Sequence, residues 1–308
     1  MEFELVIAGG GPAGVAAGVY AARKKIKSIL ITDSIGGQSI VSSDIQNWIG
    51  SPSISGQELA KNLDNHLRSY EGPGFRISTG EKIKTIDKTG NGFVVITDQN
   101  NKYQTKAILI ATGGRRRRLE VPGANQFVHK GLTYCASCDG PMFAGKRIAV
   151  IGGGNAGFES AGQLLAYAES VTLLENNPIF KADKITVDKI VANPKMTAIA
   201  NTEILEIKGD KFVTSLSYRD KNTNQTKELL IDGIFVEIGF IPNTEMVKDL
   251  VTTNDLGSIV IDHKTGQTSH TGIWAAGDCT DGLYHQNNIA AGDAVKAIED
   301  IYNWLRLK

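Results

Sequence analysis

The chain has 308 residues, of which 41% are hydrophobic and 21% charged, a length beyond one typical domain and a composition that supports a full globular core. Its 33 basic and 33 acidic side chains balance, so bulk charge argues against nucleic acid or an anionic membrane as partner. Three cysteines make no disulfide framework, and no apolar run approaches the ~18 residues of a membrane span.

The start, Met1-Glu2-Phe3-Glu4-Leu5, enters a strand-like run at once and lacks the basic and apolar regions of a secretion signal. A cytoplasmic location is expected. Leu5-Val6-Ile7-Ala8 reads as a buried strand, Gly9-Gly10-Gly11-Pro12-Ala13-Gly14 as a glycine turn, and the Ala-rich stretch to about Lys24 as a helix. Ser28-Ile29-Leu30-Ile31-Thr32-Asp33 reads as the next strand. Phe93-Val94-Val95-Ile96 and Ala107-Ile108-Leu109-Ile110 are strand-like, the second running into a turn at Ala111-Thr112-Gly113-Gly114. The opening pattern then recurs: the strand Ile148-Ala149-Val150-Ile151, the turn Gly152-Gly153-Gly154-Asn155-Ala156-Gly157, a helix to about Glu169, and the strand Val171-Thr172-Leu173-Leu174-Glu175. Further strands are expected at Ile234–Gly239, Ile259–Asp262 and around Ile273-Trp274-Ala275, and helical periodicity runs from Ile289 to Leu307.

A continuous apolar strand, a glycine turn, a helix and a second strand make a βαβ unit with a parallel sheet. In such a turn the first glycine permits the bend, the second lets backbone approach a pyrophosphate, and the third lets helix pack on strand. The helix start supplies unpaired N–H groups and a positive dipole end. One glycine motif alone is weak evidence. Two copies, each after a strand, before a helix and about 20 residues ahead of an acidic strand end (Asp33, Glu175), point to two bound dinucleotides.

Cys135-Ala136-Ser137-Cys138 admits three readings. Half of a zinc site would require two more ligands, and neither Cys279 nor His129 offers a paired one, so no metal is expected. Two buried structural thiols are the second reading. The third is redox chemistry, because this spacing lets the thiols close a disulfide and can depress the attacking thiol's pKa. Asp139 directly follows and could shuttle a proton, or simply turn the chain before Gly140.

With these motifs in view, the chain resembles the low-molecular-weight thioredoxin reductase family, and within it the reductase module of the bacterial alkyl hydroperoxide reductase flavoprotein. The likeness rests on Gly9–Gly14, Gly36-Gly37-Gln38, Ala111-Thr112-Gly113, Tyr134–Gly140, Gly152–Gly157 and Ala275-Ala276-Gly277-Asp278-Cys279. It implies an α/β fold of two Rossmann-like, three-layer ββα domains, the second inserted into the first. FAD would occupy residues 1–114 with 243–308, and a nicotinamide dinucleotide 115–242. By family position, Gly9, Gly11, Pro12, Ala13, Gly14, Asp33, Gly37, Gln38, Asn47, Thr112, Gly113, Gly277, Asp278 and Gln286 would serve FAD. Gly152, Gly154, Asn155, Ala156, Gly157, Glu175 and Gly239 would serve the nicotinamide cofactor. Cys138 would face the flavin, and Cys135 would attack a partner disulfide, with Asp139 moving the proton.

The likeness further implies a homodimer and a thioredoxin- or glutaredoxin-like acceptor. Because this chain begins at the first FAD strand, that acceptor is expected to act in trans, feeding a peroxiredoxin. Nicotinamide and cysteine pair would share one domain and reach one flavin in turn, through a hinged rotation.

One segment departs from thioredoxin reductase. Where those enzymes carry a His-Arg-Arg cluster for the NADPH 2′-phosphate, this chain reads Leu174-Glu175-Asn176-Asn177-Pro178. A 2′-phosphate adds about −1.5 to −2 charge, and each unit charge ~4 Å from a carboxylate costs about 4 kcal/mol at an effective dielectric of ~20. Even ~3 kcal/mol after relaxation is a preference of over about a hundredfold. Lys181 is the nearby cation that could soften it. NADH is the expected donor, with another donor, or an NADH oxidase passing electrons to oxygen, as alternatives. Arg115-Arg116-Arg117-Arg118, at the expected domain crossing, reads as a solvated linker that could also meet cofactor phosphates.

Overall fold

The computed structural model describes residues 2–42 and 44–307; Met1, Ser43 and Lys308 lie outside the described residues. The chain divides into two compact units, one formed by Met1–Arg115 with Ile241–Lys308 and the other by Arg116–Phe240.

In the first unit, β1 (Glu2–Ala8) leads through the glycine turn into α1 (Pro12–Arg23) and back to β2 (Ser28–Thr32). Proline suits the first helical position because its missing N–H has no intrahelical partner there. After α2 (Gly56–Arg68) come β3 (Phe75–Thr79), β4 (Ile83–Thr89), β5 (Gly92–Thr97) and β6 (Lys102–Ile110). The sheet order is β3-β2-β1-β6-β5-β4, and the later strand Ile273–Ala275 also pairs with β6. β1, β2, β3 and Ile273–Ala275 run parallel, while β4, β5 and β6 form an antiparallel meander.

Alternation along the strands makes both faces of this sheet apolar. Leu5, Ile7, Leu30, Ala107 and Leu109 join the helix-side core with Val15, Ala17, Ala294 and Ile298. Val6, Ala8, Ile29, Ile31, Ile108 and Ile110 join the opposite core with Phe93, Val95, Val247 and Ile259. Small residues on α1 (Ala13, Gly14, Ala17, Gly18, Ala21) are buried, and α1 packs against the long closing helix Asn287–Leu307.

The second unit repeats the plan. Strands β7 (Leu132–Thr133), β8 (Arg147–Ile151), β9 (Ser170–Leu174), β10 (Met196–Ile199), β11 (Thr202–Gly209), β12 (Val213–Asp220), β13 (Gln225–Leu230) and β14 (Gly233–Val236) are joined by α3 (Asn155–Leu164) and α4 (Lys184–Val191). The parallel sheet runs β10-β9-β8-β14-β7, and β11-β12-β13 form an antiparallel sheet. One face of β8 (Ala149, Ile151) packs with Ile207, Leu216 and Tyr218 of the antiparallel sheet. The other face (Ile148, Val150) packs with Phe158, Ala161 and Leu164 of α3. Each unit is therefore a three-layer ββα dinucleotide-binding fold, the second placed within the chain of the first.

Three elements differ from the sequence reading. The strand expected over Ile234–Gly239 spans Gly233–Val236. The helix after Gly157 ends at Leu164 rather than about Glu169, because the chain must turn to enter β9, with Gly145 N donating to Tyr167 O (2.9 Å) and Glu169 N to Lys146 O (2.9 Å). Ile259–Asp262 is no strand but a series of single bridges, Ile259 to Thr253 and Thr280 and Ile261 to Thr268. Among the described residues, no helix is long and apolar enough to cross a membrane.

Candidate functional site

The two glycine turns have the same construction. Gly9 and Gly152 hold left-handed φ values of +113° and +120°, and a side chain at either would be driven into backbone, at Ala111 O and Glu237 O respectively. A Cβ on Gly14 or Gly157 would collide with the carbonyl of Gly9 or Gly152, so these positions let the helix close onto the strand.

The middle glycines are different. Gly11 is extended (φ −76°, ψ −175°), as is Gly154 (φ −86°, ψ −179°). A Cβ on Gly11 would come no nearer than 3.7 Å to Gly37 Cα, and one on Gly154 would meet nothing within 4 Å. Neither backbone conformation nor packing demands glycine there. A phosphate approaching the amides at the start of each helix would require it, and the space left open fits a dinucleotide pyrophosphate.

In the first unit Gly37, Thr112 and Gly277 come close to Gly9–Gly14. A Cβ on Gly37 would sit 3.0 Å from Gly11 Cα, and one on Gly277 3.3 Å from Ala13 Cβ, so both approach the loop with Pro12 and Ala13. Gln38 Nε2 donates to Gly114 O. Thr112 Oγ1 donates to Asn243 O (2.6 Å), Asn243 Nδ2 donates to Thr112 O (3.0 Å), and Asn243 N donates to Gly113 O (2.9 Å). That clamp holds Thr112–Gly113 beside the loop, with Gly113 at φ +61°.

Asn47 Nδ2 donates to Gln286 Oε1 (3.0 Å), joining two segments 239 residues apart. Asp278 lies on the turn Gly277–Cys279 just before the closing helix. Asp33 is exposed at the end of β2 and pairs with Lys82 (3.2 Å). Beside it, a cleft of about 410 Å³ is lined by Ser34, Ile35, Gln57, Ala60, Lys61 and Thr79 among others. Cys279 is buried, its thiol 3.4 Å from both Ile110 O and Ala276 O, and burial pushes its pKa up to about 11.

In the second unit Glu175, directly after β9, is buried and ties the glycine loop to the segment that follows the strand. Its Oε2 accepts from Gly153 N (2.5 Å), and its Oε1 accepts from Asn177 N (2.7 Å) and Nδ2 (2.5 Å). Asn155 and Ala156 open α3, with Asn155 Oδ1 accepting from Asp183 N (2.9 Å). Gly239 is exposed at φ +122°.

Cys135 and Cys138 form a disulfide with Cα atoms 5.3 Å apart. Cys135 caps the single helical turn Ala136–Asp139, and its sulfur accepts from Cys138 N (3.2 Å). Within this unit Cys138 is exposed and Cys135 half-buried. Ser137 Oγ donates to Gln163 Oε1 (3.0 Å) on α3, so the disulfide turn rests on the helix that starts at the glycine loop. Thr133 Oγ1 donates to Asp139 Oδ2 and holds that carboxylate.

Sequence reading missed several residues here. Thr133 lies only six residues from Asp139 but carries no motif of its own, whereas Asn243 meets Thr112 from 131 residues away. Lys221, in the β12–β13 turn, places Nζ 2.9 Å from Asn176 O and 2.6 Å from its Oδ1, and so adds a cation beside the segment after Glu175 to Lys181, whose N donates to Gly153 O (2.9 Å). Arg116 belongs to no free linker, since it is ion-paired at 3.0 Å with buried Glu237. The available hint was an acidic residue directly after the apolar run Ile234-Phe235-Val236.

Residues 3–294 match the family described as pyridine nucleotide-disulphide oxidoreductase. The F component of alkyl hydroperoxide reductase from Escherichia coli (strain K12) is 40% identical over 304 residues, covering 98% of this chain and 58% of its own length. An NADH dehydrogenase of Bacillus subtilis (strain 168) is 36% identical over 303 residues, with 98% and 58% covered. The chain thus spans 58% of the length of these two curated relatives. Thioredoxin reductase from Streptococcus pyogenes MGAS5005 superposes with a TM-score of 0.92 at 33% identity, covering 100% of this chain and 99% of that one. A match along nearly the whole chain, to relatives this similar, settles the family: the chain belongs to the pyridine nucleotide-disulphide oxidoreductases, which are redox enzymes.

Proposed function

We propose that this protein is an NADH-dependent, FAD-containing disulfide reductase that passes two electrons to Cys135–Cys138 and then to a thioredoxin- or glutaredoxin-like protein. The observation that carries the reading is the pair of spare middle glycines, Gly11 and Gly154, in one chain with a Cys135–Cys138 disulfide whose Cys138 is exposed. FAD bound at Gly9–Gly14 supplies the hydride acceptor and the relay to the disulfide.

In this reading Gly9, Gly11, Pro12, Ala13 and Gly14 hold the FAD pyrophosphate, and Asp33 and the neighbouring cleft take its adenosine end. Gly37, Gln38, Asn47, Thr112, Gly113, Gly277, Asp278 and Gln286 frame the remainder of the cofactor. Gly152, Gly154, Asn155, Ala156, Gly157 and Gly239 hold the nicotinamide dinucleotide. Glu175 selects against a 2′-phosphate, since its carboxylate lies buried across the loop that seats the adenosine side. The name of the B. subtilis relative, an NADH dehydrogenase, agrees with that donor.

Reduction breaks the S–S bond and leaves two thiols, one proton passing through Asp139, which Thr133 orients. The Cys135 thiolate then attacks the partner disulfide and expels one partner thiol. Cys138 resolves the mixed disulfide by attacking Cys135, restoring the intramolecular bond and releasing the second thiol. The net exchange is NADH, a proton and a disulfide for NAD⁺ and a dithiol. The similarity to the F component of alkyl hydroperoxide reductase supports a peroxiredoxin as the eventual electron sink. A homodimer in the cytoplasm is part of the same reading.

Anaerobic titration of the purified protein with NADH and NADPH, followed by addition of a thioredoxin-like acceptor, tests it. NADH should bleach the flavin at far lower concentration than NADPH and should sustain acceptor reduction. A colourless protein that takes up no FAD would overturn the reading. An NADH oxidase is the second reading, favoured by the same B. subtilis relative's name. Cys135→Ser and Cys138→Ser separate the two, because they abolish disulfide reduction but spare electron flow to oxygen.

A further inference from the structure

The second unit holds a buried ionic group that the glycine-loop chemistry does not use. Glu237 follows β14 directly, and its N donates to Ile151 O (2.8 Å), which sets it beside Gly152. Its side chain is 4% exposed. Ser160 Oγ, on the buried face of α3, donates to Glu237 Oε1 (2.8 Å). Arg116 Nη1 donates to Oε2 (3.0 Å), with the guanidinium 5.9 Å from the Phe240 ring centroid. The Arg116 side chain remains 32% exposed, so one edge of its donor fork is anchored while the rest reaches the surface.

The position has meaning in this topology. β8 leads through α3 to β9 on one side, while β14 lies on the other side of β8. The sheet order therefore reverses at the β8–β14 pair, and a dinucleotide spreads across the carboxyl ends of the strands at such a reversal. Glu175, directly after β9, marks the adenosine side. Glu237 and Arg116 stand on the other side, where the second phosphate and the nicotinamide ribose would pass.

A buried carboxylate is costly to keep even when paired, and an apolar pair would hold the strand end as well. Burial pushes the Glu237 pKa up, against the opposing pull of Arg116 and Ser160.

We propose that Arg116, fixed by Glu237 and Ser160, binds the pyrophosphate and adjoining ribose on the nicotinamide side of the dinucleotide. The assignment rests on the reading of this unit as the nicotinamide-nucleotide site. Arg116 is the contacting residue, and Glu237 and Ser160 are positioning residues.

The test is equilibrium binding of NADH and of AMP, by anaerobic calorimetry, to the FAD-loaded protein whose flavin and Cys135–Cys138 disulfide have been reduced beforehand, so that NADH binds without turnover. AMP occupies the adenosine side alone and serves as control. Arg116→Gln should raise the Kd for NADH about tenfold, one charge-assisted contact, and leave that for AMP within about twofold. Glu237→Gln keeps the shape of the side chain but not the charge that fixes the guanidinium, and should weaken NADH in the same direction. Arg116→Lys should recover part of the loss. Unchanged NADH binding in Arg116→Gln and Glu237→Gln would overturn the proposal, as would equal weakening of NADH and AMP, which marks a purely structural clamp. Should Arg116→Gln fail to fold, Glu237→Gln and Arg116→Lys carry the same test. Wild-type protein that binds neither ligand refutes the nicotinamide reading itself, whereas wild-type binding of both with indifferent variants refutes only the role of Arg116.

Discussion

Replacing Gly154 by Ala separates dinucleotide binding from folding. The residue lies in extended backbone (φ −86°, ψ −179°) that alanine adopts freely, and its Cβ would meet no atom within 4 Å. Every packed contact therefore survives. By narrowing the unfolded ensemble, the change should add about 0.4–1 kcal/mol of stability, a rise in Tm of about 1–4 °C. Binding should move the other way. A methyl group standing where a phosphate oxygen approaches removes one or two charge-assisted hydrogen bonds of about 1.5–3 kcal/mol each. That raises the Kd for NADH from about tenfold, for one bond at the lower figure, to on the order of ten-thousandfold, for two at the upper.

Gly157→Ala is the contrast, because its Cβ is driven into the carbonyl of Gly152 and overpacking of this kind costs about 1–3 kcal/mol or more. Differential scanning fluorimetry and anaerobic calorimetry on the same samples, reduced beforehand so that NADH does not turn over, read both quantities. Gly154→Ala protein that is stable and still binds NADH within about twofold of wild type would refute the argument that a phosphate accounts for that glycine. Gly11→Ala makes the parallel case for FAD, with flavin content as its readout.

Glu175→Ala should reduce the NADH-over-NADPH preference at least about tenfold in the ratio of KM values; an unchanged ratio would remove Glu175 from donor choice. Cys279 should resist alkylation in the native protein near pH 8, because burial holds its pKa at about 11. Only two of the three thiols should then react after mild reduction, and a third native adduct counts against its burial. Burial alone would raise the pKa of Glu81, but bonds from Ser78, Thr97, Asn101 and Tyr103 outweigh it and lower the pKa to about 2. That depression stabilises the fold above the ordinary value of 4.5 and is lost as pH falls from there through about 2. Glu81→Gln should therefore flatten acid unfolding across that window by on the order of 2 kcal/mol, as followed by circular dichroism; an unaltered acid limb would contradict the sign.

Whatever depends on neighbours along the chain could be read from the residues alone. Apolar strand, glycine turn and small-residue helix are local patterns, so both βαβ units were legible at Leu5–Asp33 and Ile148–Glu175, and so was the Cys135–Cys138 spacing. Features that depend on distant contact were set by the folded chain. The point where α3 stops is fixed by its exit into β9, and Ile259–Asp262, apolar enough for a strand, finds only single-bridge partners. Periodicity cannot tell which glycine clears a helix and which leaves room, and the Cβ geometry can. Arg116 looked like one member of a solvated basic run until the fold brought Glu237, 121 residues away, to within 3.0 Å. A charge reads as surface in sequence because its partner is not written beside it, and burial is a property that the folded sheet confers.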